Sequence, residues 1–134
     1  MWLVTTMSLP QQPASVGRAR YVLDTLLSLT GATDECQGHL AILITEACTN
    51  AVRHATHGST VDLRMTIDEH VCMLEICNEG TNDNEANLSA EPPDPLVLSG
   101  RGLPLIAALA DTAAFVPTPP GRVLLRITKH LTPL

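Results

Sequence analysis

The chain has 134 residues, a formal net charge of −6 and 45% hydrophobic residues, which is the size and composition of about one globular domain with a core of its own. Aromatics make up only 2%, so the core must be Leu, Val, Ile and Ala, and base-stacking platforms for single-stranded nucleic acid are not expected. The acidic balance argues against nucleic-acid and anionic-membrane surfaces, no apolar run reaches spanning length, and the N-terminus lacks a basic region followed by a long apolar stretch, so a cytoplasmic location is expected.

Residues 2–8 read as a first strand that stops at Pro10. Residues 14–30 read as a helix, with Val16, Ala19, Tyr21, Val22, Leu26 and Leu27 apolar and Gly31 ending it. On that helix Arg18 and Arg20 have no evident acidic neighbour four residues on and are read as a solvated face. Asp34 is the expected N-cap of a second helix over 34–56, whose core face is Leu40, Leu43, Ile44, Ala47, Cys48, Ala51 and Ala55. Glu46, Asn50, Arg53 and His57 fall on a separate narrow sector of this helix, with His54 at its border. Residues 59–67 alternate, with Val61, Leu63, Met65 and Ile67 apolar, as a half-buried strand does. Asp68, Glu69 and His70 turn the chain into a hairpin partner over 71–78, with Val71, Met73 and Cys77 placed on alternating faces.

Residues 79–99 are rich in Gly, Asn, Asp, Glu and Pro and read as a long loop, which inside a compact domain is usually functional. Residues 102–111 make a third helix with Pro104 tolerated in its first turn. Residues 113–116 and 122–128 are two closing strands around the turn from Pro117 to Gly121. This order predicts an α+β two-layer sandwich: a mixed, mostly antiparallel sheet with helices on one face, in a single domain spanning 1–134.

The four cysteines, Cys36, Cys48, Cys72 and Cys77, form no C-x-x-C pair and no zinc spacing, and are expected as small buried thiols. His54 and His57 have no third metal ligand in sight.

The chemistry concentrates in two stretches. In Thr45-Glu46-Ala47-Cys48-Thr49-Asn50-Ala51-Val52-Arg53-His54 a carboxylate, a carboxamide and an imidazole recur at i, i+4 and i+8, which stacks them on one helix face. Carboxylate and amide oxygens are hard donors suited to a magnesium ion that carries phosphates. Further on, Ser99-Gly100-Arg101-Gly102-Leu103 opens a helix, a natural phosphate seat in which the backbone N–H groups of Gly102 and Leu103 point outward and Pro104 removes one donor. Taken alone, either stretch could be a solvated helix face or a turn. Together they point to a nucleotide site.

These residues resemble the GHKL superfamily of ATP-binding domains. Within it they are most similar to the stand-alone bacterial anti-sigma factor/serine-protein kinases. The resemblance runs from about Pro13 to Ile127 and rests on Glu46-x-x-x-Asn50-x-x-Arg53-His54 and Gly100-Arg101-Gly102-Leu103-x-Leu105-Ile106. It implies ATP and Mg2+ as ligands, Asn50 on the magnesium, Glu46 as general base, and Arg53, His54 and Arg101 toward the phosphates. It further implies that Gly100 and Gly102 admit the backbone to the phosphates, with Leu103 beside them, and that the loop 80–99 is an ATP lid. Where the family writes Asp-x-Gly-x-Gly, this chain has Asn78-Glu79-Gly80-Thr81-Asn82, so Asn78 replaces the aspartate that reads the adenine amino group. Val123 stands where the family often has a threonine.

The implied function is a kinase that sequesters a sigma factor and phosphorylates a Ser or Thr of an anti-anti-sigma (STAS-type) partner, with sheet edges and a helix face that such proteins use to form homodimers. The alternative is a degenerate, non-catalytic GHKL module acting only by protein–protein binding, which Asn78, Asn82 and Val123 would favour. A detached histidine-kinase catalytic domain ranks last, since no dimerisation helix with an acceptor histidine is present in the chain.

Overall fold

A computed structural model describes residues 2–81 and 102–132. In chain order the elements are β1 (Leu3–Pro10), α1 (Ala14–Leu27), α2 (Asp34–His54), β2 (Thr60–Ile67), β3 (Val71–Glu79), α3 (Gly102–Leu109), β4 (Thr112–Val116) and β5 (Arg122–His130). The strands form one sheet in the order β1-β2-β3-β5-β4.

Every pairing in that sheet is antiparallel, which corrects the mixed sheet expected from the sequence. The connections explain it. Two helices, not one, lie between β1 and β2, so the chain returns running the opposite way. β3 and β4 run in the same direction across α3, but β5 sits between them and pairs with both.

Alternation sets the layers. Val61, Leu63, Met65 and Ile67 of β2, Cys72, Leu74 and Ile76 of β3, and Leu125 and Ile127 of β5 are buried. They join Ala19, Leu23 and Leu27 of α1, Leu40, Leu43, Ile44, Ala47 and Ala51 of α2, and Ile106 of α3 in one core. The opposite side of the sheet is half-buried or exposed. Val71, Met73 and Cys77, expected on alternating faces, all share this outward side with Glu75. Cys36, Cys48 and Cys72 are buried free thiols as expected, whereas Cys77 is only half-buried.

Element ends moved where hydroxyls and side-chain amides satisfied backbone groups. α1 stops at Leu27, short of Gly31, because Ser28 Oγ donates to the Thr25 carbonyl and Thr30 Oγ1 to that of Leu27. The N-cap of α2 is Thr33 rather than Asp34: its backbone is extended and its hydroxyl accepts from Cys36 N at 3.2 Å. Asp34 and Glu35 occupy the first turn, where their charge suits the positive end of the helix dipole. Arg20 does have an acidic neighbour, Asp24, one turn on at 3.7 Å. That pair is exposed and adds little to stability.

The β2–β3 turn is closed by Asp68, whose carboxylate accepts from His70 N at 2.7 Å and Val71 N at 2.8 Å. Those two bonds, the His70 one foremost, hold its pKa below the ordinary value.

Candidate functional site

α2 carries the expected stripe. Glu46, Asn50 and His54 lie on successive turns of one helix, Glu46 and Asn50 half-buried and Arg53 and His54 exposed in the last turn. His57, placed on the same sector from the sequence, does not belong to it. The helix stops at His54, Ala55 is extended, and His57 lies in the turn before Gly58. The stop is held by Gln11, whose Nε2 donates to the carbonyls of Val52 (3.1 Å) and Ala55 (3.0 Å) while its Oε1 accepts from Gly58 N (3.2 Å). A residue just beyond the end of β1 therefore fixes where Arg53 and His54 are presented. No local pattern announces this, because the partners are 41 and 44 residues apart.

The end of β3 docks on the same end of α2. Thr56 N donates to the Glu79 carbonyl at 2.8 Å, and Gly80 N to the Gly121 carbonyl at 3.0 Å. Gly80 has φ +152°, and a Cβ there would lie 2.7 Å from the His54 carbonyl oxygen. Only glycine lets the chain pass this close to the helix end. Asn78 sits just before it, 5% exposed, and pairs in register with Val61 on one side and Val123 on the other. Its Nδ2 donates to the Glu79 carbonyl at 3.0 Å. Among the described residues nothing bonds its Oδ1.

The other end of the stripe meets α3. A Cβ on Gly102 would lie 3.2 Å from Glu46 Oε2, so the carboxylate stands against the first residue of α3. Leu103 and Pro104 are buried, which anchors the helix start. Lys129 Nζ donates to the Leu109 carbonyl at 2.8 Å and anchors its end. The two sequence stretches, 46–54 and the start of α3, are thus brought together. Gly100 and Arg101, and the greater part of the loop 80–99 including Asn82, lie outside the described residues.

The separation along the stripe is informative. From Glu46, beside Gly102, to His54, beside Gly80, the helix advances about 12 Å. One end offers a buried amide, the other a helix N-terminus and a carboxylate. Asn50 lies between them, its carboxamide free of hydrogen bonds among the described residues. A neutral oxygen ligand so placed fits magnesium, which needs few protein donors. No three-residue cluster of His, Cys, Asp and Glu arranged for a metal occurs among the described residues.

Fold and site together define an ATPase-type domain. The family model described as "Histidine kinase-like ATPase domain" matches residues 9–129, and the chain belongs to that family. In sequence it is 32% identical over 116 residues to the serine-protein kinase RsbW of Bacillus subtilis, a match covering 78% of this chain and 72% of that protein. It is 30% identical over 118 residues to RsbW of Listeria innocua, covering 79% and 74%. In structure it is similar to the RsbU and RsbW domains of Rv1364c from Mycobacterium tuberculosis, with TM-score 0.73, 18% identity and 96% of this chain covered; it spans only 32% of that longer chain. It is also similar to a chain of the SiaB–SiaC complex of Pseudomonas aeruginosa, with TM-score 0.67, 15% identity, and 95% of this chain and 89% of that one covered. These two structural likenesses bear out the sandwich fold expected from the sequence. Among the described residues no helix is long and apolar enough to cross a membrane.

Proposed function

We propose that the chain binds ATP with Mg2+ along the α2 stripe and acts as a serine/threonine-protein kinase and anti-sigma factor in the cytoplasm. The approach of Glu46 to the start of α3 carries this reading, because it sets a carboxylate beside the backbone donors suited to a terminal phosphate. Asn50 would hold the magnesium, and Gly102 and Leu103, with Gly100 and Arg101, would receive the phosphates; Arg53 and His54, at the end of the stripe where Gly80 and Asn78 lie, would stand nearer the base. The metal supplies charge neutralisation at the phosphoryl oxygens when bound. Glu46 accepts the proton of an incoming Ser or Thr hydroxyl as that oxygen forms its bond to phosphorus and ADP leaves. The substrate protein is of the anti-anti-sigma (STAS) type, and a sigma factor is the sequestered partner. The likeness to RsbW kinases over most of the chain supports this assignment of partners.

The test is a pair of variants. Glu46→Gln keeps nucleotide binding and abolishes phosphorylation of a cognate antagonist; unchanged phosphotransfer defeats the role of Glu46. Asn50→Ala removes the magnesium dependence of nucleotide binding in calorimetry; equal affinity with and without the metal in both proteins defeats the role of Asn50.

A second reading, a non-catalytic module that works by protein binding alone, is favoured by the Asn78–Val123 pair. Both positions are buried and together offer a base only one neutral polar side chain. Absence of ATP binding at millimolar nucleotide would select that reading.

A further inference from the structure

We propose that Asn78 makes this site accept guanine as well as adenine nucleotides. The inference rests on the nucleotide-binding reading above and concerns which base enters.

Asn78 and Ser15 are the buried polar side chains among the described residues, and Ser15 Oγ is occupied, donating to the Pro10 carbonyl. Asn78 is only half satisfied: Nδ2 is held by the Glu79 carbonyl, and Oδ1 has no partner among the described residues. Its flanking neighbours Val61 and Val123 are aliphatic and supply no competing polar group.

An ionised carboxylate can only accept hydrogen bonds, and it repels the O6 carbonyl of guanine. A carboxamide offers an acceptor at one end and donors at the other. In the orientation seen here, Oδ1 accepts from the adenine amino group. Rotated by half a turn, Nδ2 donates to guanine O6. The rotation forfeits the bond to the Glu79 carbonyl, so adenine keeps an advantage of about tenfold, the worth of one neutral hydrogen bond. A carboxylate at this position would discriminate far more strongly, because guanine would then face an unpaired charge.

The experiment is a competition titration of fluorescent ATP against ATP, GTP and purine riboside triphosphate, which lacks the exocyclic group, with magnesium present. The wild-type protein and Asn78→Asp are compared. For the wild type, ATP and GTP affinities within about tenfold of each other are expected, with purine riboside triphosphate weaker than ATP by about tenfold. Asn78→Asp widens the ATP preference over GTP by at least about tenfold more. Wild-type discrimination of a hundredfold or greater, or an ATP/GTP ratio unmoved by Asn78→Asp, overturns the inference while leaving the nucleotide site standing. If Asn78→Asp does not fold, the wild-type series decides: purine riboside triphosphate binding as tightly as ATP shows that residue 78 does not read the 6-position. No binding of any nucleotide overturns both this inference and the proposed function.

Discussion

Glu46 Oε2 stands 3.2 Å from where a Cβ of Gly102 would be, so the carboxylate of one helix and the first residue of another share a space that holds no methyl group without movement. The relationship is tight enough to be probed by one carbon atom. Gly102→Ala pushes the Glu46 carboxylate aside while the fold tolerates the change, because alanine is a good helix former. The carboxylate must give by only a few tenths of an ångström, so phosphotransfer is expected to fall by about tenfold, with nucleotide affinity changing less. A phosphorylation assay alongside a binding titration separates the two. A larger loss in affinity than in turnover would show that Gly102 serves the phosphates rather than the carboxylate.

Gly80→Ala acts on stability. The residue has φ +152°, and the added carbon would meet the His54 carbonyl oxygen at 2.7 Å, a backbone atom that cannot swing away. Strain of about 2 kcal/mol is expected, lowering the melting temperature by roughly 8 °C for a domain of this size. A thermal melt within a degree or two of wild type would show that β3 can leave the end of α2 at little cost.

Buried thiols give the protein an alkaline limit. Burial pushes the Cys48 thiol up to about 12 from 9.0, and burial, with Cys36 nearby, does the same for Cys72. The folded-state pKa lies above the unfolded value, so in that interval the unfolded chain has fewer protons and gains relative to the fold. The contribution to stability is therefore complete below pH 9.0 and is lost as pH rises toward about 12. Denaturant midpoints measured from pH 8 to 11 should fall in the upper part of that range, and less steeply in a Cys48→Ala/Cys72→Ala variant referenced to its own value at pH 8. At neutral pH a thiol reagent should label half-buried Cys77 first and the buried thiols only on unfolding.

Lys129 is the chain's single lysine, and its ammonium is hydrogen-bonded to the last carbonyl of α3. Lys129→Met keeps the length of the side chain and removes the cap and its charge at the negative end of the helix. A loss of about 1 kcal/mol is expected, with faster amide exchange in α3 than in β3. Unchanged exchange in α3 would show that its buried Leu103, Pro104 and Ile106 hold it without the cap.

Much of the fold was legible because its signals are local. The alternation of Val61, Leu63, Met65 and Ile67 marked β2 and its hairpin, and the spacing of Leu40, Leu43, Ile44 and Ala47 marked α2. The Glu46–Asn50–His54 stripe followed from the same helical period. What failed depended on the shape of the chain ends. The cap of α2 went to Thr33 instead of Asp34, because the capping oxygen belongs to the residue whose backbone is still extended. His57 fell off the stripe because Gln11, far away in the chain, terminates the helix first. The Arg20–Asp24 pair, by contrast, follows from i, i+4 spacing alone.

By itself, the order of residues determined which segments become helix or strand, which faces are apolar and which side chains could handle a phosphate, since each depends on spacing within a few turns. The tertiary structure alone decided that every strand pair is antiparallel, that Gly80 lies against the end of α2, that Asn78 is flanked by Val61 and Val123, and that Glu46 meets Gly102. Those contacts join residues 17 to 56 positions apart. Such approaches are set by the closing of one core around the sheet, which no local periodicity encodes.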